Sequence, residues 1–405
     1  MFRWISPVDS WCSCKWRLIK LLSCSFYRFV ILRALLNKII IDKNVGDVEL
    51  IPELIEYALQ HREEILENAQ SLRVNKKDAI ERWIKYNPSS FEREFRVSAT
   101  DGSLNFMEFR GFMLYAINAV SILYSRNGFE KEVKTGKVGL LPPSENVLER
   151  VRAQMGILEA KTTLNLIEEG ELDLSLIDGS FISFLVKLRG IENDIKMFIN
   201  LDPDFMEKYI NAINEPKLDI LAEEKATDII GRDLDTDVLL NSMLTLEKVE
   251  LLNVLIKLFR RYGGKLVAIS KTSTSRRYFR YSLKPDLVIF DKLTQNTGFS
   301  KPNVVKLSLP KALKNYLDFS EDLMFTVFYA RLEPREQVFR IEVFGERSME
   351  DIKKLLDDLS VFTVRGYPYP LRRAHQEVEI RGEDMLRIYR ILSLYHEERG
   401  REVLL

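Results

Sequence analysis

FEREFRVSATDGSLNFMEFRGFMLYAINAVSILYS (91–125) and LDLSLIDGS (172–180) decide the fold. Residues 91–100 alternate as a strand does and run directly into Asp101-Gly102-Ser103. Residues 104–125 are rich in aromatic and branched side chains and predict one or two further strands. Residues 172–180 predict a short buried strand ending on a second Asp-Gly-Ser, at Asp178. Between these stretches, Pro142-Pro143-Ser144 introduces a helix over about 145–169, stopped by Gly170. Its Leu148, Val151, Met155 and Leu158 recur at helical spacing. Strands interleaved with helices imply an α/β fold with a mixed sheet.

Farther out, KLVAIS (265–270), DLVIF (286–290), DLMFTVFYARL (322–332) and QVFRIEVF (337–344) predict strands. The last two form a hairpin through Glu333-Pro334-Arg335-Glu336. Helices are expected over 51–70, with Pro52 in the first helical position, and over 75–86. Others are expected near 239–261, 348–359, 371–380 and 383–396. The strongly acidic stretch 200–238 is expected to be solvated, and about 190–262 reads as an acidic helical insertion. No repeat of fixed period is present.

The 405 residues are 46% hydrophobic and 30% charged, which excludes a disordered tail or a small disulfide scaffold. Sixty basic and sixty acidic residues cancel, so nucleic-acid or membrane binding needs a local patch. Residues 1–45 hold eight basic and two acidic side chains; the remainder has a net charge of −6. Cys12, Cys14 and Cys24 all lie in that first segment and read as reduced thiols of a cytoplasmic protein, since Cys12-Ser-Cys14 lacks a zinc or redox spacing. Lys20, Arg28 and Arg33 interrupt the apolar run 18–36, which falls short of the ~20 residues of a membrane span. A membrane partner is therefore not expected. Residues 1–46 read as an accessory extension or an upstream translation, with a basic amphipathic surface helix as the alternative.

No Walker A sequence is present, because Gly263-Gly264-Lys265 is followed by Leu266, so no nucleotide cofactor is expected. GxGxxG, HExxH and paired CxxC motifs are absent, and three histidines exclude a polyhistidine zinc site. What remains is a carboxylate pattern. Asp101 and Asp178, each expected at a strand end and each followed by Gly-Ser, suit a shared hard cation. Asp-Gly is also a common turn signal, and spacing alone leaves both readings open. Glu159 falls on the buried side of its helix, where a carboxylate needs a partner, unless it reaches water at the edge of the stripe. KTSTSRRYFRYSLK (271–284) carries Lys271, Arg276, Arg277, Arg280 and Lys284 without an acid, interleaved with Tyr278, Phe279 and Tyr281. That pattern suits phosphate contacts and base stacking, or a solvated basic loop. RGYPYPLRRAHQ (365–376) brings Arg372, Arg373 and His375 into the first turns of a helix, where the histidine is either a surface residue or a proton carrier.

In this order, Asp101-Gly102-Ser103, Glu159, LIDGS with Asp178, VAISKTS (267–273) and GYPYPLRRAH with Tyr367 and His375 resemble the archaeal NurA nuclease family. The resemblance covers roughly 47–405. It implies an RNase H-like mixed-sheet core with helical insertions and an N-terminal helical region, in a nuclease domain spanning 47–405. It also implies a homodimer around a DNA channel and a manganese-dependent nuclease, with magnesium as the other candidate ion. The implied activities are single-strand endonuclease and 5′-to-3′ exonuclease on single- and double-stranded DNA. They are coupled to a HerA-type hexameric ATPase in resecting double-strand breaks. The implied catalytic set is Asp101, Glu159, Asp178, Tyr367 and His375, with the metal on Asp101 and Asp178. From the basic clusters themselves, Lys271, Arg276, Arg277, Arg280, Arg372 and Arg373 are the expected DNA contacts. The alternative is a non-catalytic DNA clamp or motor adaptor, against which the complete acid set argues.

Overall fold

A computed structural model describes residues 52–71, 74–89, 93–188, 190–230, 236–317, 319 and 321–397. The extension 1–46 lies outside the described residues. The chain divides at Ser71 into two units. In the first, the expected single helix is two, α1 (Pro52–Gln60) and α2 (Arg62–Gln70). The break falls at His61, whose ψ of 11° leaves the helical range.

The second unit begins with α3 (Lys76–Glu81) and β1 (Trp83–Lys85). There follow β2 (Val97–Glu108), β3 (Met113–Ser125), β4 (Gly128–Leu141), α4 (Val147–Glu168) and β5 (Leu174–Asp178). A helical segment comprises α5 (Phe181–Lys187), α6 (Glu192–Leu201), α7 (Phe205–Ile213), α8 (Ala222–Ile230) and α9 (Thr236–Tyr262). Then come β6 (Leu266–Ser270), α10 (Asp286–Leu293), β7 (Gly298–Ser300), β8 (Asn303–Leu307) and α11 (Lys311–Lys314). The chain continues through β9 (Leu323–Arg331), β10 (Phe339–Phe344), α12 (Met349–Ser360), β11 (Thr363–Val364) and β12 (Tyr367–Pro368). It closes with α13 (Tyr369–Val378) and α14 (Gly382–Ile391).

Ten strands form one mixed sheet in the order β1-β7-β9-β10-β6-β5-β2-β3-β4, with β8 also on β9. β2 is antiparallel to β3, and β3 to β4, while β5 runs parallel to both β2 and β6. That five-strand centre is the RNase H-like arrangement; β10, β9, β7 and β1 extend it beyond β6. LVAIS in β6 is buried throughout because the sheet is covered on both faces. Leu266 and Ala268 join the core beneath α4 and the helical segment, whereas Val267 and Ile269 join the core beneath α12 and α13. The β9–β10 hairpin is present as expected.

The helix expected over 75–86 ends at Glu81, because Trp83–Lys85 pairs with β7 as an edge strand of the sheet. Three further expectations fail for identifiable reasons. DLVIF is helical, in α10. A short apolar run carries no period that separates a buried strand from a buried helix. Here the Asp286 carboxylate, on the first helical residue, accepts the amides of Arg277, Tyr278 and Phe279 and ties the preceding loop to the helix. The stretch 200–238 is not simply solvated: α7 buries Phe205, Met206, Tyr209, Ile210 and Ile213, and its one acid, Glu207, is exposed on the other face. Asp101 does not end a strand; β2 continues to Glu108. The parallel pairing of β2 with β5, however, stops at Thr100 and Ile177. Asp101 and Asp178 therefore lie where two adjacent parallel strands part, past the carboxyl end of their shared ladder, the usual ligand position in α/β sheets. No described helix is long and apolar enough to cross a membrane.

Candidate active site

A cavity of about 490 Å³ opens at that separation, and Asp101, Glu159, Asp178 and His375 all line it. β2 supplies Asp101, β5 Asp178, α4 Glu159 and α13 His375. The sequence explains the convergence. Gly102 leaves room that a side chain would fill, since a Cβ there would collide with Oε1 of Glu159 and lie 2.8 Å from its Cγ. Gly179, at φ 131°, turns the chain sharply from β5 into α5.

The acids crowd one another. Burial, followed by the charges of Asp101 and Asp178, pushes Glu159 up to about 8. Burial and the Asp178 charge also raise Asp101, while the His375 contact acts in the opposite direction. His375 Nδ1 lies 2.8 Å from Asp101 Oδ2 on a side chain 60% exposed. Lys271 Nζ sits 2.6 Å from Asp178 Oδ2 and 4.9 Å from the centre of the Tyr367 ring. Tyr367 donates its hydroxyl to Asp178 Oδ2 at 3.3 Å. Burial and the two aspartate charges hold that phenol well above its ordinary value, so it remains a donor.

All five residues expected to be catalytic therefore belong to one constellation, joined by Lys271. Among the described residues, no three Asp, Glu, His or Cys side chains are gathered closely enough to hold an ion. Lys271 and His375 instead pair with the two aspartates. The three carboxylates nevertheless offer the oxygen donors that a hard divalent cation prefers.

The remaining expected DNA contacts lie outside the cavity lining. Arg276, Arg277 and Arg280 are exposed on the loop before α10. The aromatic part of that expectation is corrected. Phe279 is buried, and Tyr278 packs with it against Phe290, because Asp286 gathers their amides inward; only Tyr281, 99% exposed, is free to stack. The loop is thus anchored by a buried acid just beyond its end. On α13, Arg372 donates to the Val364 carbonyl and Arg373 pairs with Glu377, so both cations already have protein partners.

One support of the site escaped the sequence reading. Glu342 on β10 is fully buried, and burial raises its carboxyl. It accepts Ser180 Oγ at 2.6 Å and the Ile182 amide at 3.0 Å, and pairs with Arg340 at 2.6 Å. Ser270 donates to the Gly179 carbonyl, and the Gly179 amide to Ile269. Together these bonds fix the turn that follows Asp178. The available signal was Arg340 and Glu342 at alternate positions, hence on one face, of an apolar strand.

An RNase H-like core carrying three carboxylates where its central parallel strands part defines the class: a nuclease, that is, a hydrolase. The NurA domain family pattern matches residues 95–380, and the chain belongs to that family. It is 29% identical over 357 residues to the probable DNA double-strand break repair nuclease NurA of Methanocaldococcus jannaschii, covering 84% of this chain and 89% of that protein. The crystal structure of the NurA nuclease from Sulfolobus solfataricus has the same fold, with a TM-score of 0.65 at 23% identity over 85% of this chain and 97% of that one. A crystal structure of NurA with manganese matches at a TM-score of 0.60 and 15% identity, over 84% of this chain and 98% of that one.

Proposed function

We propose that the protein hydrolyses DNA phosphodiester bonds with a divalent cation, manganese or magnesium, held by Asp101 and Asp178 and supported by Glu159. The observation that carries this reading is the convergence of three mutually repelling carboxylates on one cavity, an arrangement that costs free energy unless a cation offsets it. The family relative's activity in DNA break repair and a related protein's manganese support it.

When bound, such an ion supplies a more acidic water and offsets charge on the attacked phosphate. The chain's own groups do the rest. Asp101, held at Oδ2 by His375, presents a fixed acceptor. His375 is more than half exposed; with Nδ1–H given to Asp101, its other ring nitrogen would take a proton from the attacking water and then return it to the departing oxygen. Tyr367 and Lys271 hold the Asp178 carboxylate in place. Lys271 also offers an ammonium to a non-bridging phosphate oxygen. Arg276, Arg277 and Arg280 would track the strand's backbone, with Arg372 and Arg373 contributing once released from their protein partners.

In the finer reading, the enzyme is a cytoplasmic homodimer with single-strand endonuclease and 5′-to-3′ exonuclease activity. It resects double-strand breaks alongside a HerA-type hexameric ATPase. The chain lacks a phosphate-binding loop for a nucleoside triphosphate. Opening duplex costs about 1.4 kcal/mol per base-pair step, so strand separation falls to a motor. The test is digestion of end-labelled single-stranded DNA with Mn²⁺, with and without chelator. A long blunt duplex is then followed with protein alone, with the motor and ATP, and with a non-hydrolysable analogue. No chelator-sensitive cleavage of the single strand would refute the nuclease site. Equal processive degradation in all three duplex reactions would refute the motor coupling.

A further inference from the structure

Two donors converge on one oxygen of the site. Lys271 Nζ lies 2.6 Å from Asp178 Oδ2, and the Tyr367 hydroxyl lies 3.3 Å from the same atom. The backbone around this pair is tied down on both strands. Asp178 pairs in register with Ile269, the Gly179 amide donates to the Ile269 carbonyl, and Ser270 Oγ donates to the Gly179 carbonyl. The Lys271 side chain is far less confined. It leaves the chain just past the end of β6 and is 40% exposed, against 16% for Asp178. An ion pair with that much water contact is worth little and exchanges readily. Lysine carries a compact charge on a flexible four-carbon stem, so the ammonium can move while its backbone stays in place. The Tyr367 ring, with its centre 4.9 Å from Nζ, offers the ammonium a second attractive surface beside the carboxylate.

We propose that Lys271 is an exchangeable counter-ion, which neutralises Asp178 until a divalent cation claims that carboxylate and then gives its ammonium to a phosphate of the bound strand. The proposal rests on the nuclease reading above and puts the two contacts of Lys271 in sequence. A divalent cation and an ammonium repel each other when both crowd one carboxylate, so they compete for Asp178. The released ammonium finds an equally strong partner in a non-bridging phosphate oxygen, through a charge-assisted hydrogen bond. Tyr367 is neutral and stays with Asp178, so the carboxylate keeps its orientation during the exchange. Linkage follows. The cation frees Lys271 for the strand, and the strand, by holding Lys271 away from Asp178, tightens the cation by the same factor.

The experiment titrates the full chain with Mn²⁺ in a calorimeter, without DNA, as wild type, Lys271→Met and Lys271→Arg. Loss of the competing charge should tighten Mn²⁺ by about tenfold in Lys271→Met, within the usual span of such couplings, whereas Lys271→Arg should stay near wild type. Fluorescence anisotropy with a labelled single-stranded oligonucleotide, confirmed intact on a gel, gives the second readout. In chelator, Lys271→Met should bind the strand as wild type does. In Ca²⁺, which takes the same oxygen ligands, it should bind about tenfold more weakly, with a salt slope smaller by about 0.7. Mn²⁺ binding that is unchanged or weaker in Lys271→Met would overturn the proposal and make Lys271 a fixed support of Asp178. So would an equal loss of strand affinity in chelator and in Ca²⁺, the behaviour of a permanent phosphate contact. If Lys271→Met fails to fold, Lys271→Gln makes the same comparison. Failure of wild type to bind Mn²⁺ at all would instead refute the nuclease reading, and the exchange with it.

Discussion

Replacing Glu159 by Gln should stabilise the metal-free protein at alkaline pH. The native carboxyl is pushed from 4.5 to about 8, chiefly by burial and then by Asp101 and Asp178. Below pH ~4.5 the group is protonated whether the chain is folded or unfolded, and it contributes no pH dependence. Between about 4.5 and 8 the native state holds a proton that the unfolded state has released, so stability falls as pH rises. Above about 8 both states are ionised and the cost is complete, at most about 5 kcal/mol for that shift. Gln has the same shape and no charge, so the gap between variant and wild type should widen through this window and then level off. In a domain of this size the full gap corresponds to about 5–8 °C in melting temperature. Thermal melts of both proteins in chelator, from pH 4.5 to 9, measure it. Adding Mn²⁺ should favour wild type, because a cation that binds the native acids stabilises the folded state. Melting curves that remain parallel across the pH range would refute the claim that Glu159 is a crowded, enclosed acid.

Other perturbations separate the parts of the site. Asp101→Asn and Asp178→Asn should each reduce Mn²⁺-dependent cleavage to background while the circular dichroism spectrum is retained, because each removes a ligand without opening a cavity. Glu342→Gln should weaken Mn²⁺ half-saturation by roughly 10–100-fold through loss of the Ser180–Arg340 clamp. Asp291→Asn, which breaks the distant pair with Arg331, should not alter that half-saturation. Charge reversal at Arg276 and Arg277 should weaken DNA binding and lower the salt slope by about one unit per lost phosphate contact. Binding isotherms over a salt series measure that loss, and the cleavage rate at saturating DNA should stay unchanged.

Much of the centre was legible because its signals are local. The two Asp-Gly-Ser tripeptides mark backbone positions where a side chain would collide or a sharp turn is required, and the helical period puts Glu159 on the buried stripe or at its edge. The ordered set from Asp101 to His375 carried the family resemblance, and with it the expected core. What failed depended on partners distant in sequence. DLVIF carried no period to tell a buried helix from a buried strand. Tyr278 and Phe279 turned inward because the Asp286 carboxylate holds their amides, which composition cannot reveal. β4 was not expected at all: it is an edge strand, and its polar alternation reflects water along one face. The acids of 200–238 concealed the apolar stripe of α7, which only packing against α6 and α9 identifies as core. Period, glycine geometry and cap chemistry act over a few residues, so the sequence alone determined the central strands and α4, while the candidate acids, left open by spacing, were singled out by the family resemblance. The clamp of Glu342 on Ser180 and the Lys271 contact with Asp178 unite residues 90 or more positions apart, and only the closed sheet with its covering helices decides which of them meet.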